Sequence, residues 1–352
     1  MFITRSLFVC LLSLSLSSSS MLCVVFIRFS HDWAIDFLKS NIAYAGSSCT
    51  VWGLMPYFPL SAPMVNAIER YNQSLQDHAY NYKTSIIYIL TENSNTNDKN
   101  RILKGCLYAN LLPYLPSYDR VWLLDEDFTL EHFNFTEYFY YLNLPSGPLQ
   151  YTMISQALVS GQIFYEHLNY YSPVWIEQRS LTTTNHTGPD PVSGSSFPAS
   201  VSGATTSLPL IAFPTTFIEI QAPILNTTFL IWFLNRIQIP VIHTLSTTTL
   251  DKCHDYGFPN TWCYAAHQYL LEKGQNYDPS IHLPCAVIVG NSYTTHHDKK
   301  TIGVGAKREA FHSEGERVKL IYQAMFPQLW AYNNDLWREK SKWLYSYNFS
   351  LI

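Results

Sequence analysis

The stretch Tyr118-Asp119-Arg120-Val121-Trp122-Leu123-Leu124-Asp125-Glu126-Asp127-Phe128 constrains this chain more than any other. An uninterrupted apolar run, Val121 to Leu124, leads straight into consecutive acids. A short apolar run bounded by turn residues predicts a strand buried on both faces, the state of a central strand in an α/β sheet. In open α/β sheets the ligand lies beyond the carboxyl ends of the strands. Asp125, Glu126 and Asp127 would therefore stand where a ligand arrives. Along an extended segment Asp125 and Asp127 point to one side and Glu126 to the other. Two carboxylates on one side can hold a hard divalent cation, which can in turn hold phosphate oxygens. The bland alternative is that the strand simply ends and its acids are solvated. The abrupt step from apolar to acidic weighs against it.

The flanking sequence supports the α/β reading. Thr50 to Leu60 is apolar and aromatic, and Pro56 and Pro59 keep it out of a helix interior, so it predicts the first core strand. Ala62 to Tyr80 carries Val65, Ile68 and Leu75 on one helical face. Ser85 to Leu90 predicts a buried strand, and Arg101 to Leu112 a helix that ends before Pro113. Strand, helix, strand in that order signals a parallel α/β unit. Further on, helices are expected over Leu130–Leu142, Asn226–Ile237 and Tyr264–Lys273, the last stopped by Gly274. Tyr151–Leu158 and Pro284–Val289 read as strands, and Glu314–Leu344 as an amphipathic helix. Residues 180–208 are dominated by Ser, Thr, Gly and Pro without apolar period and read as a surface insertion.

With 352 residues, 47% of them hydrophobic and only 14% charged, the chain can build a large core. A net charge of -4 and the lack of a basic stripe argue against a nucleic-acid partner. Ser6 to Ile27 bears no charge and is long enough to cross a bilayer. Two readings are open, a cleaved signal peptide and an uncleaved signal anchor, with the anchor favoured. Either delivers the body to the secretory lumen. Residues 1–30 are thus expected to lie outside the fold and to attach it to a membrane, and residues 31–48 to form a stem. A single domain should fill residues 49–345, with the insertion inside it. Cys10 and Cys23 fall in the apolar segment, leaving Cys49, Cys106, Cys253, Cys263 and Cys285. In an oxidising lumen some should pair, Cys263 with Cys285 being the expected bond, and an odd number leaves one over. A zinc site is the alternative, but paired C-x-x-C spacing is missing. Sequons at Asn72, Asn134, Asn185, Asn226 and Asn348 permit a lumenal glycoprotein.

Several segments in collinear order carry a resemblance. They are Tyr118-Asp119 to Phe128; Ile154-Ser155-Gln156-Ala157-Leu158; Phe217-Ile218-Glu219 with Ala222-Pro223; Tyr256-Gly257-Phe258 with Trp262-Cys263; Cys285-Ala286-Val287; and His296 with Thr301. Together, over Tyr118 to Gly303, they resemble the domain of unknown function family 707, a glycosyltransferase-like group of GT-A type fold. The resemblance implies a mixed, mostly parallel sheet flanked by helices, binding a nucleotide-sugar donor through an acidic D-x-D motif and Mn2+ or Mg2+. Asp125-Glu126-Asp127 matches that motif, the metal falling to Asp125 and Asp127 with His296, which fits the spacing to Thr301 better than His297. The ion would offset charge developing on the diphosphate leaving group. The chain departs from the family where Pro259 replaces an acid, whose role is lost or passes to Asp255. An Asp expected after Cys285-Ala286-Val287 is also absent. Glu219 remains as a candidate base for the acceptor hydroxyl, with a structural carboxylate as its alternative. The expectation is a metal-dependent transferase of the secretory pathway, a Golgi type II membrane protein or a secreted one, acting on a glycan or protein acceptor. The alternatives are a non-catalytic GT-A-like protein that binds sugar or a partner, and a metal-dependent hydrolase.

Overall fold

The structure, a computed structural model, describes residues 20–29, 31–56, 62–89, 104–143, 149–160, 211–214, 218–248, 250, 258–274, 276–278, 282–297, 299 and 306–327. The strands are β1 (Met21–Ile27), β2 (Val51–Pro56), β3 (Ser85–Tyr88), β4 (Arg120–Asp125), β5 (Phe128–Thr129), β6 (Ile154–Ser160), β7 (Ile211–Pro214), β8 (Ile224–Asn226) and β9 (Cys285–His296). Among the described residues they form one nine-stranded sheet in the order β3-β2-β1-β4-β8-β6-β9-β5, with β7 also on β9. Strands β1 to β4 run parallel to one another, as do β6 and β9; the antiparallel pairings of β8, β5 and β7 span two to four residues each. The α/β class, with a mixed and mostly parallel sheet, is the one expected from the sequence.

Helices cover both faces. On one lie α1 (Asp32–Ala45), α2 (Ala62–Asn81) and α4 (Phe135–Leu142); on the other α3 (Lys104–Ala109), α5 (Thr227–Phe233), α6 (Ile239–Leu245), α7 (Phe258–Lys273) and α8 (Ala306–Met325). Alternation along the strands divides the core between them. Cys23 and Val25 of β1, with Trp122 and Leu124 of β4, pack under the first layer. Leu22, Val24 and Phe26, with Val121 and Leu123, pack under the second. Both strands are apolar at every interior position because both of their faces are covered. Between α5 and α6 the helix widens into a π-turn, Leu234–Gln238, just before Pro240, which has no N–H to give the helical ladder.

This arrangement corrects the reading of the amino end. Met21–Ile27 is not part of a leader or membrane anchor. It is the middle strand of the parallel half, hydrogen-bonded to β2 and β4, and every residue in it is buried. Residues 31–48 are not a stem either: α1 occupies most of them and buries Ala34, Ile35, Leu38, Ile42 and Ala45 against the sheet. The folded unit therefore includes residues 20–48 as well as the part expected to begin at residue 49. Residues 1–19 and the insertion at 180–208 lie outside the described residues. Among the described residues no helix is long and apolar enough to cross a membrane.

The expected bond between Cys263 and Cys285 is present and ties α7 to β9. Cys23, set aside with the apolar segment, instead pairs with Cys49 ahead of β2. Cys106 is disulfide-bonded too. Tyr293 to His296, read as following the late strand, continue β9, which pairs there with β5 and the distal end of β6.

Candidate active site

The acids sit at the carboxyl edge of the parallel strands. β4 ends at Asp125, level with Phe26 near the end of β1. The chain then turns through Glu126 and Asp127 into β5, whose Phe128 faces His296 on β9. That pairing carries His296 to the triplet across some 170 residues of sequence. Its Nε2 lies 3.2 Å from the Asp127 Oδ2, and its ring stacks on Phe128 with centroids 4.8 Å apart. The Lys299 N–H donates to the same Asp127 oxygen at 3.0 Å, and the His297 N–H to the Asp127 carbonyl at 3.0 Å. His297 turns its side chain elsewhere: its Nε2 is 2.9 Å from the Thr129 hydroxyl, and its ring stacks on Phe37 of α1 at 4.4 Å.

Glu219 arrives by a different route. β8 runs antiparallel to β4 with Trp122 opposite Ile224. The segment before β8 keeps that register: the Leu123 N–H donates to the Pro223 carbonyl at 3.0 Å and the Asp125 N–H to the Gln221 carbonyl at 2.9 Å. The Trp122 indole N–H bonds the Ala222 carbonyl at 3.2 Å. Glu219 lies two residues ahead of Gln221 on the same segment. The charges of Lys104, Asp125 and His296 all act on the Glu219 carboxyl. Asp255 and Thr301 lie outside the described residues. Pro259 falls in the first turn of α7, where a missing N–H costs nothing.

The site also holds residues that the sequence did not single out. Lys104, at the head of α3, is buried at 6% exposure. Its ammonium is ion-paired with Asp125 Oδ1 and stands over the Phe26 ring, 5.2 Å from the centroid. The backbone N–H of Arg28, just past β1, donates to the Glu126 carboxylate. Asn41, in the segment read as a stem, is buried on α1. It clamps β5, donating to the Phe128 carbonyl and accepting from the Leu130 N–H, both at 2.9 Å. No local pattern marks Lys104 or Asn41, because both act on residues some 20 to 90 positions away.

The surroundings set these groups apart electrostatically. Burial raises the Glu126 carboxyl to about 8, against the pull of the Arg28 N–H and charge. Burial raises Glu219 to about 7, with Lys104 opposing and Asp125 reinforcing the shift. Burial also raises Asp125 against the attraction of Lys104. Asp127 goes the other way. Its burial alone would lift it, but the hydrogen bond and charge of His296 and the Lys299 N–H outweigh burial and hold it below the usual carboxylate range. Adjacent acids are thus split: Asp127 stays an anion, and Glu219 can exchange a proton near neutral pH.

Among the described residues no group of three or more His, Cys, Asp and Glu side chains is gathered as a ready-made metal cage. Asp127 and His296 are together; Asp125 is taken up by Lys104. Two carboxylates with one imidazole nevertheless suit a hard to borderline ion such as Mn2+ or Mg2+.

The architecture is an α/β fold with an acidic site at the carboxyl edge of its parallel strands. No family model matches the chain, and no curated protein matches it. Solved structures of glucosyl-3-phosphoglycerate synthase from Mycobacterium tuberculosis are similar at low level. One, with Mn2+, UDP-glucose and phosphoglyceric acid, is 9% identical over 88% of this chain and 80% of that one, with a TM-score of 0.35. One with phosphoglyceric acid is 9% identical over 85% and 80%, at 0.38. One with Mg2+ and UDP is 8% identical over 88% and 79%, at 0.37. A likeness this distant transfers neither residues nor chemistry, and the fold class rests on the chain's own topology.

Proposed function

We propose that the chain is a GT-A-like, metal-dependent glycosyltransferase that moves a sugar from a nucleotide-sugar donor to an acceptor hydroxyl. The observation that carries this reading is the convergence of Asp127, His296 and Glu219, from separate parts of the chain, on the carboxyl edge of β4. The family resemblance, a proposal itself, supports the same assignment. Asp125, Asp127 and His296 are the residues that would hold Mn2+ or Mg2+, which when bound offsets negative charge on a diphosphate leaving group. Glu219 is the acceptor-activating base. A carboxyl raised to about 7 is matched to taking a hydroxyl proton near neutral pH. As the acceptor oxygen bonds to the anomeric carbon, the bond from that carbon to the diphosphate oxygen breaks and the hydroxyl proton goes to Glu219. The disulfides support a secretory location, since such bonds persist in oxidising compartments.

The pairing of Lys104 with Asp125 favours one second reading, a non-catalytic protein of this fold that binds sugar or a partner, because a carboxylate already neutralised needs no ion. The test is thermal unfolding with Mn2+ and a panel of nucleoside diphosphates, on wild type and Asp127→Ala. A ligand that binds only the folded state raises its stability. The transferase reading expects a rise that needs both Mn2+ and one nucleotide and vanishes in Asp127→Ala. No rise with any nucleotide moves the assignment to the binding protein.

A further inference from the structure

We propose that Lys104 is a built-in counter-cation of the acidic site: its ammonium holds Asp125 while no divalent ion is bound, and turns to the donor's diphosphate once an ion takes Asp125. The inference rests on the transferase reading above and concerns how that site is kept ready.

Lysine is rarely this buried unless it is paired. Here the partner is a carboxylate of the acidic triplet, and the Phe26 ring lies under the ammonium at 5.2 Å. Asp125, Glu126, Asp127 and Glu219 crowd one edge of the sheet, and an uncompensated buried carboxylate costs several kcal/mol. A resident cation lowers that cost in the empty site. The backbone that carries it is fixed from below: the Gln238 side-chain N–H donates to the Gly105 carbonyl at 3.3 Å, and the Tyr322 hydroxyl donates to the Gln238 side-chain Oε1. Gln238 closes the π-turn Leu234–Gln238 ahead of Pro240.

The head of α3 is therefore held, while the Lys104 ammonium is carried on a four-carbon stem with rotatable bonds. An ammonium and a divalent ion cannot both engage the same Asp125 oxygen at bonding distance. The two would compete for Asp125, and a displaced ammonium would be available to the phosphates of the donor. A lysine ammonium binds phosphate well as a point charge.

The experiment measures two affinities by calorimetry, Mn2+ alone and then UDP or GDP at saturating Mn2+, on wild type, Lys104→Met and Lys104→Arg. If the closed pair occupies about nine-tenths of the empty protein, removing it tightens Mn2+ on the order of tenfold in Lys104→Met. The same variant should bind the nucleotide on the order of tenfold more weakly, a loss of one charge-assisted contact. Lys104→Arg should restore both values to near wild type. A merely structural lysine would weaken both affinities together. Unchanged or weaker Mn2+ binding in Lys104→Met overturns the inference while leaving the transferase reading intact, provided wild type binds both ligands. Wild type that binds neither Mn2+ nor nucleotide overturns both. Should Lys104→Met fail to unfold cooperatively, Lys104→Gln takes its place with the same two expectations.

Discussion

Asn41 offers the sharpest test of how the site is held in place. It is 2% exposed and sits among apolar side chains. Its amide bridges the Phe128 carbonyl and the Leu130 N–H at 2.9 Å each, on the strand that immediately follows Asp127. Asn41→Leu keeps the volume and removes both bonds. A buried polar group stripped of its partner costs about 1–3 kcal/mol. Two such groups give about 2–6 kcal/mol, and the apolar replacement returns about 1–2 kcal/mol through burial. Taken midpoint against midpoint, the net loss should be about 2.5 kcal/mol. Urea unfolding followed by tryptophan fluorescence measures it, with an unchanged m-value showing that the unfolded state is the same. On the proposed function, any stabilisation by Mn2+ should also fall in this variant, because β5 pairs with the β9 residue His296. A loss below about 0.5 kcal/mol at constant m would mean that the clamp is incidental, since an ordinary surface change costs that much. The segment before β2 would then be no part of the site's support.

Glu126 and Glu219 make stability depend on pH in an unusual direction. Their folded values, about 8 and about 7, lie above the ordinary glutamate value, so the folded state holds protons that the unfolded chain releases. Stability from these groups is full below the unfolded pKa and is lost as pH rises through 7 and 8, at no more than about 1.4 kcal/mol per pH unit for each. Glu126→Gln should flatten that decline, becoming more stable relative to wild type between pH 5 and 8; parallel urea midpoints across that range would refute it. Asp127 has the opposite sign: its depressed value adds stability above the ordinary carboxylate range that is lost on acidification, so Asp127→Asn should narrow its deficit as pH falls below 4. Joint replacement of Cys263 and Cys285 by alanine opens a link spanning 22 residues and should cost about 3 kcal/mol. Reduced wild type, which also loses the Cys23–Cys49 bond and the one at Cys106, should unfold at a lower urea concentration than that variant.

The sequence by itself determined the α/β class, the strand that ends in acids, and most of the elements around it. The reason is local: an apolar run of strand length between turn signals, or an apolar face at helical spacing, records its own burial. The resemblance, through the spacing to Thr301, also pointed to His296 rather than His297, and it is His296 that lies beside Asp127. It failed where two environments demand the same composition. Met21–Ile27 is apolar because both faces of β1 are covered by helices, and a bilayer would ask for the same residues. Fused to the apolar stretch before it, the strand read as one membrane-length segment, and α1 behind it became a stem. Only pairing with β2 and β4 separates the two cases. The rest of the site was decided by tertiary structure for a plainer reason. Lys104 and the Arg28 N–H reach the acids, and Asn41 the strand just after them, across strand crossovers, while the pairing of β8 with β4 brings Glu219 to the same edge. Contacts of that kind leave no period or motif in the chain, because each residue is chosen by a neighbour that only the folded sheet supplies.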